Sequence, residues 1–588
     1  MKMKMGGSIP WFVVLLLAFS AWVGPGPVAA QSSPEACRLI DALGLDKQIN
    51  QHAHEILAAC GRVPASAPVE ISSAFSSSAP SNLGGIDQDV VLGGEGTYPH
   101  VTQSETQVWT EGNTSVVAYN DSRTAPTCYG GGSYSTDGGA TWTNLNSRPF
   151  CSGHGTNYGD PVLVYDRKHT RWLAAFLATG CGGQGIGMWS SPDGITWSAG
   201  SCAHSGTSDD RESGWVDNNP VSPFYGRVYI SWNNFAVANS PIFATYSDDG
   251  GVTWSVPVQV VANATFIRNV QLTTGPDGAV FIAGMNEGGG GLSPRLNLVY
   301  RSTNGGTSWL EFSMGSSFTP PGTSFCGYFA AMFPSYWRHM GWGDIGAGPG
   351  GVIHYAYAQG AAGDAGDIYY TSSTDNGATW STAIRLNTDS GTRLQWQPSL
   401  SVSPAGHVFV SWYDARNTTG NAYERWGRVS NDNGLTWQTD DVISDAPSPL
   451  PLQPDSTVNS CYAGDYDRSF ADGSAFFTAW VDGRVAISGV PQQDVYFDRV
   501  TDVPPHLILT ATGFKQKGAQ SANLSWISAI PGGNVDIKRD STVMTTVPDS
   551  GVYTDNIGTK GNKASYVYQV CYAGTTDCSN QTTVKFGK

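Results

Sequence analysis

Short apolar runs, each five or six residues long and bounded by Gly, Asn, Asp and Ser, recur along most of the chain. Ser115–Tyr119, Trp172–Phe176, Arg227–Trp232, Ala279–Ala283, Val352–Tyr357, His407–Trp412 and Ala475–Trp480 have this form. Their β-branched and aromatic content, with turn residues between them, predicts strands. The start of the chain reads differently. From Pro34 to about Arg62, Leu39, Ile40, Leu43, Leu45, Ile49, Ile56 and Leu57 recur at helical spacing. Gly44 divides that run into two short helices, a hairpin within residues 31–62. His52 and His54 fall on its polar face, where solvated side chains are expected. Lys2 and Lys4 precede an apolar run from Trp11 to Val23, and Val28-Ala29-Ala30 comes just before Gln31. This is the plan of a secretory signal peptide over residues 1–30, with an apolar run too short to span a bilayer comfortably. Residues 63–87, rich in Ser, Ala, Pro and Gly, read as a linker.

A repeat then organises everything between 88 and 502. A phrase of Ser, any residue, Asp, a Gly-containing pair, any residue, Thr and Trp occurs six times, at Ser135–Trp142, Ser191–Trp197, Ser247–Trp254, Ser302–Trp309, Ser373–Trp380 and Ser430–Trp437. The second copy is one residue short, and the fourth carries Asn304 for Asp and Ser308 for Thr. The Asp caps amides of its own turn, Gly supplies positive φ, and Trp covers the turn, so the phrase reads as a hairpin clasp without chemistry. Counting the apolar strands gives seven units from 98 to 500, the spacing of one four-stranded sheet per repeat. Asp89–Leu92 is placed to supply the strand missing from the last unit. The fold class predicted is all-β: a β-propeller of seven blades, six being the alternative, with an N-terminal helical segment and a C-terminal β-sandwich. The sandwich is read over 503–588 from alternating runs such as Ala522–Trp526, Val535–Lys538 and Ser565–Cys571.

Composition narrows the partners. The chain carries 48 acidic and 32 basic residues and a formal charge of −16, which argues against nucleic acid and anionic membrane surfaces. No later stretch is apolar enough for a membrane span, and a monomer is expected. Ten cysteines in an exported chain read as disulfides, with Cys37–Cys60 and Cys571–Cys578 the simplest pairings. No cofactor is expected. A structural calcium ion is left open, although no loop has dedicated ligand spacing.

The six clasps make the chain resemble the sialidase superfamily, whose members carry Asp-box (BNR) repeats, and the tail resembles a fibronectin type III module. The resemblance implies a secreted exo-sialidase-type glycoside hydrolase acting on acidic sugars. Such enzymes use an arginine triad for the sugar carboxylate, a Tyr nucleophile and an Asp acid/base. Asn120-Asp121-Ser122-Arg123 looks like the family's Asp-Ala-Arg segment, and Gly464-Asp465-Tyr466-Asp467-Arg468 resembles the segment bearing the nucleophile. Tyr98-Pro99-His100-Val101 stands where the family has its first triad arginine, and residues 124–132 contain no Asp for the acid/base. The catalytic candidates are Tyr466, Asp465, Asp160 and Asp217. The substrate-binding candidates are Arg123, Arg416 and Arg484, which share an Asp-x-Arg motif, together with His100, Asp344 and Trp396. Two other readings remain open at this point: a non-catalytic glycan- or protein-binding propeller, and a polysaccharide lyase acting on uronic-acid polymers.

Overall fold

The computed structural model describes residues 37–38, 40–62, 83–260, 265–333, 336–500, 507–528, 533–559, 564–574, 578–579 and 582–586. The signal-peptide reading, and the linker reading over 63–82, lie outside those residues. Between Gln88 and Val500 the chain forms seven four-stranded antiparallel sheets. Their first strands are Gln103–Glu111, Val162–Asp166, Asp209–Val216, Ile267–Thr274, Asp344–Ala347, Gln395–Val402 and Phe470–Ala471. Each first strand touches that of the next sheet, and the seventh touches the first, so these strands ring a central axis as in a β-propeller. Six sheets are continuous in sequence. The seventh is completed by Gln88–Asp89, which pairs antiparallel with Phe497 and Tyr496. This latch leaves no open edge in the ring, the usual remedy for exposed strand edges.

The apolar runs seen in the sequence form the second strand of each sheet rather than the axial one. Val116, Val117, Ala118 and Tyr119 are all fully buried, as are Ala174, Ala175 and Phe176. A second strand is covered on both faces by neighbouring sheets, which is why it reads as a continuous apolar run. Several axial strands are polar and equally buried: in the first, Gln103, Ser104, Glu105, Thr106 and Gln107 are no more than 2% exposed. They are therefore inconspicuous in a search for apolar runs.

The clasps close the outer hairpins as expected. In the first, Thr141 donates to Asp137 through both its backbone N–H (2.9 Å) and its hydroxyl (2.6 Å), and Trp142 Nε1 donates to Gly139 O at 3.0 Å. The Thr141 and Ser135 hydrogen bonds hold the Asp137 carboxyl down to about 2. Gly139 has φ 96°, and a Cβ there would stand 2.4 Å from the Phe497 ring of the neighbouring sheet. Asp137→Ala is expected to lower the melting temperature by only a few degrees with the fold retained, since five other clasps remain. Scanning calorimetry checks this, and a collapse of the whole transition would contradict it.

Five disulfides are present: Cys37–Cys60, Cys128–Cys151, Cys181–Cys202, Cys326–Cys461 and Cys571–Cys578. The first and last are the pairings expected from sequence. No helix among the described residues is long and apolar enough to cross a membrane. Beyond residue 507, a three-stranded and a four-stranded sheet share a core that includes Leu509, Leu524, Trp526, Ile537, Val570 and Val584.

Candidate functional site

The axial strands begin on one face of the ring, the entry face, and there they break the usual strand rules. Glu105, Asp160, Arg211 and Gln397 all have positive φ, between 50° and 59°, although none is glycine. Ladder bulges follow Ser104, Asp210 and Trp396, at the same level on three axial strands. A non-glycine residue in this conformation costs about 1–3 kcal/mol and persists where surrounding structure imposes it, typically at functional sites. The bulges re-aim polar side chains toward the axis.

What gathers there is a buried set of opposite charges. Arg338 Nε and Nη2 meet Asp465 Oδ1 and Oδ2 at 2.9 and 2.6 Å. Arg268 forms a second fork on Glu287 at 3.0 and 3.1 Å, and Trp342 Nε1 donates to the same carboxylate at 2.7 Å. Deeper, Arg468 reaches Asp344 at 3.3 Å. The Arg211 guanidinium lies 4.0 Å from the centre of the Tyr466 ring, a stacked cation–π contact. A closed cavity of about 10 Å³ on the axis is lined by Arg211, His339, Asp344, Gln397, Asp465 and Tyr466, among others.

Several of these polar groups lack partners. Neither carboxylate oxygen of Asp160 accepts a hydrogen bond among the described residues, and Tyr466 OH, Arg211 Nε and Arg211 Nη1 are likewise unpartnered. Burial raises Asp160 well above the ordinary carboxyl range, and nearby Glu212 and Asp210 add to the shift. Glu105 is raised by burial and then by Asp160 and Asp465. Tyr466 is raised by burial and by Glu105 and Asp160, so its phenol keeps its proton. His339 falls to about 3 through burial and the charge of Arg211, and is neutral. Burial and like charges thus push the Asp160 and Glu105 carboxyls toward holding a proton, the direction a general acid requires.

The structure brings Asp160, Asp344, Asp465 and Tyr466 to the axis, but it separates the remaining candidates. Asp217 lies past the far end of its axial strand, where it accepts from Ser222 and the Asn219 N–H as a turn cap. The Asp-x-Arg motifs end the second strands, one strand out from the axis, so their arginines do not converge on one pocket. Arg123 is held by Asp121 at 2.7 Å, Arg416 by Asp414 and Asp440, and Arg484 by Asp482 and Asp87. They tie loops to their own sheets. His100 sits at the rim, its Nδ1 2.9 Å from Asp455. Trp396 is fully buried among Trp337, Tyr413 and Tyr423 and offers no face to a ligand.

Sequence reasoning missed Glu105, Arg211, Glu212, Arg268 and Arg338. A faint signal existed: Asp209-Asp210-Arg211-Glu212 is a dense charge run in a chain only 14% charged. It lies at the start of the axial strand Asp209–Val216, which contains no apolar run to mark it. The one cluster with metal-ligand character among the described residues, His154 with Cys181 and Cys202, contains a disulfide and so offers no thiolate pair.

The entry face is covered. Residues 45–60 lie across it: Ile49 N and Asn50 N donate to Asp210 at 2.9 and 3.2 Å, and Arg338 Nη2 donates to Ile49 O at 2.9 Å. His52 stacks on Tyr158 with ring centres 4.5 Å apart, and His54 is buried. The two histidines thus pack on the rim rather than facing solvent. Burial and the nearby Arg338 charge lower His54 to about 4.

A β-propeller with a charged axial site is the class that fold and site define. No protein-family model and no curated protein matches the chain. Solved structures resemble it at low identity. One is a protein of unknown function from Dyadobacter fermentans, 11% identical with TM-score 0.35, covering 58% of this chain and 93% of that one. An α-L-arabinofuranosidase from Fusarium graminearum is 13% identical with TM-score 0.32, covering 49% and 92%. An α-L-arabinanase from Penicillium chrysogenum is 14% identical with TM-score 0.30, covering 50% and 93%. At these values the reaction has to be argued from the site itself.

Proposed function

We propose that the protein is a secreted glycan-processing enzyme of the glycoside hydrolase type, acting on a terminal acidic sugar. We read its seven sheets as seven blades and its C-terminal sheets as a fibronectin type III-like sandwich that acts as a spacer. Export fits the five disulfides. The observation that carries the reaction is Tyr466: an unpartnered phenol on the axis, beneath Arg211 and close enough to Glu105 and Asp160 to feel their charge.

Asp160, which retains its proton, protonates the glycosidic oxygen. Tyr466 attacks the anomeric carbon as its own proton passes to Glu105 and the aglycone leaves with the Asp160 proton. Water, giving its proton to Asp160, then breaks the sugar–Tyr466 bond, and the phenolate recovers its proton from Glu105. A neutral phenol suits an anionic substrate better than a carboxylate nucleophile would. Arg211, Arg268 and Arg338 take the substrate-carboxylate role that Arg123, Arg416 and Arg484 cannot fill. Incubation with sialyl-lactose, uronate polymers and neutral arabino-oligosaccharides, reading reducing sugar and unsaturated product, tests this reading. Turnover should appear only on an acidic substrate, vanish in Tyr466→Phe, and fall about 10²–10⁴-fold in Asp160→Asn. Unsaturated product would indicate a lyase instead.

A second reading, a non-catalytic propeller that binds glycan or protein, is favoured by one observation. The whole axial cluster is buried beneath the chain's own N-terminal segment, with Glu105, Arg211 and Glu212 at most 1% exposed. Binding without turnover of any substrate would select it.

A further inference from the structure

We propose that residues 37–62 form a reversible plug, a self-contained unit that occupies the mouth of the axial site in place of its ligand. Three features point to a unit that detaches rather than a permanent part of the ring. First, it has its own core: Ile40, Leu45 and Ala53 pack with Leu43, Ile56 and Leu57 as a cluster separate from those of the sheets. Its own disulfide, Cys37–Cys60, closes it. Of its buried apolar residues, only Ile49 joins a core of the ring.

Second, its attachment is mostly polar. Asn50 Nδ2 donates to Asp210 at 2.6 Å, Arg268 Nη2 to Lys47 O at 2.7 Å, Gln48 Nε2 to Ser208 at 3.0 Å, and Tyr129 OH to Glu55 at 3.1 Å. A cavity of about 70 Å³ remains between plug and rim beside His54 and Arg338, so the fit is incomplete. Polar, imperfectly packed contacts are those that water can replace.

Third, departure breaks neither arginine fork. Arg338 keeps its fork on Asp465, and Arg268 keeps its fork on Glu287, with Asp210 3.6 Å away. Asp210 gives up its three donors from the plug and keeps Arg268, so water or a ligand's donors take their place.

The stretch Lys47–Asn50 presents two carbonyl acceptors to Arg268 and Arg338 and three N–H donors to Asp210. A ligand that displaces it must offer the same pattern: anionic or carbonyl oxygens to the arginines and hydroxyl or amide donors to the carboxylate. The identity of that ligand rests on the proposed function, but the plug itself does not.

The test uses the full chain with a protease site inserted between residues 66 and 80, and phenylglyoxal as an arginine-selective probe read by peptide mass spectrometry. In the uncut protein Arg211, Arg268 and Arg338 should label slowly. Cleavage followed by gel filtration should release the N-terminal fragment and expose all three. Asn50→Ser keeps a helix-capping oxygen but no longer reaches Asp210. It should speed labelling about tenfold, the effect of one lost hydrogen bond to a buried carboxylate. Arg425, fully buried in the sixth sheet, must stay protected throughout and reports any general unfolding. Retention of the cleaved fragment with unchanged labelling, or rapid labelling of the three arginines in uncut protein, overturns the proposal. Labelling as expected with no glycan turned over would leave the plug standing and remove the enzymatic reading.

Discussion

Asp465→Asn is expected to lower the stability of the protein by about 3–5 kcal/mol, the cost of removing one partner from a buried ion pair. Arg338 depends on Asp465 for both of its charge-assisted bonds, and its remaining bond, to Ile49 O, is to a neutral carbonyl. Asn at 465 offers one acceptor where two were, and no charge. Arg338 is 3% exposed, and its guanidinium lies 4.6 Å from the centre of the Phe329 ring. Urea titration of both proteins at neutral pH measures the difference. A shift below about 1 kcal/mol, the level of an exposed pair, would show that water reaches the pair. Asp465 is therefore better described as a positioning residue, holding Arg338, than as a catalytic one.

The second large effect is a dependence on pH at the closure of the ring. Asp498, in the third strand of the seventh sheet, is raised from 3.8 to about 7, mainly by burial and further by the charges of Asp87 and Asp445. Hydrogen bonds from the Gly85 N–H, 2.8 Å away, only partly offset this. The folded state therefore holds a proton that the unfolded state has released. Stability is greatest below about pH 4 for this group and is lost as pH rises toward 7. The full shift corresponds to roughly 4 kcal/mol. Asp498→Asn keeps an acceptor for Gly85 and does not titrate. It should be close to wild type at pH 4 and more stable by a few kcal/mol at pH 8. Melting curves at the two pH values decide it, and a variant equally destabilised at both would show that Asp498 is ionised in the fold.

The axial site also shows which parts of the molecule were legible in advance. Asp160, Asp344 and Asp465 were reachable because each follows a glycine just before or at the start of an axial strand, and Tyr466 because it comes next after Asp465. Asp217 and the three Asp-x-Arg arginines were misplaced for a single reason. The strands visible as apolar runs are the second strands, so the residues that flank them, Asp217 before one and the arginines after three, stand away from the entry end of the axis. Arg211, Arg268 and Arg338 were hidden because a lone arginine in a polar run carries no sign of burial. What sets that sign is a carboxylate from another sheet, as Asp465 does for Arg338 across 127 positions of sequence.

The sequence by itself determined the strand content, the clasps with their Asp and Gly turns, two of the disulfides and the latch before the first sheet. All of these are local, depending on side-chain period, turn chemistry or short spacing. The radial place of each strand, the convergence of distant charges on one axis and the seat of residues 45–60 over that axis were decided only by tertiary structure. An alternating or apolar strand carries no record of its distance from the axis, and an amphipathic helix none of the surface it will cover. Ring closure supplies both, because it brings the starts of seven strands into one small volume where each charge must find its partner.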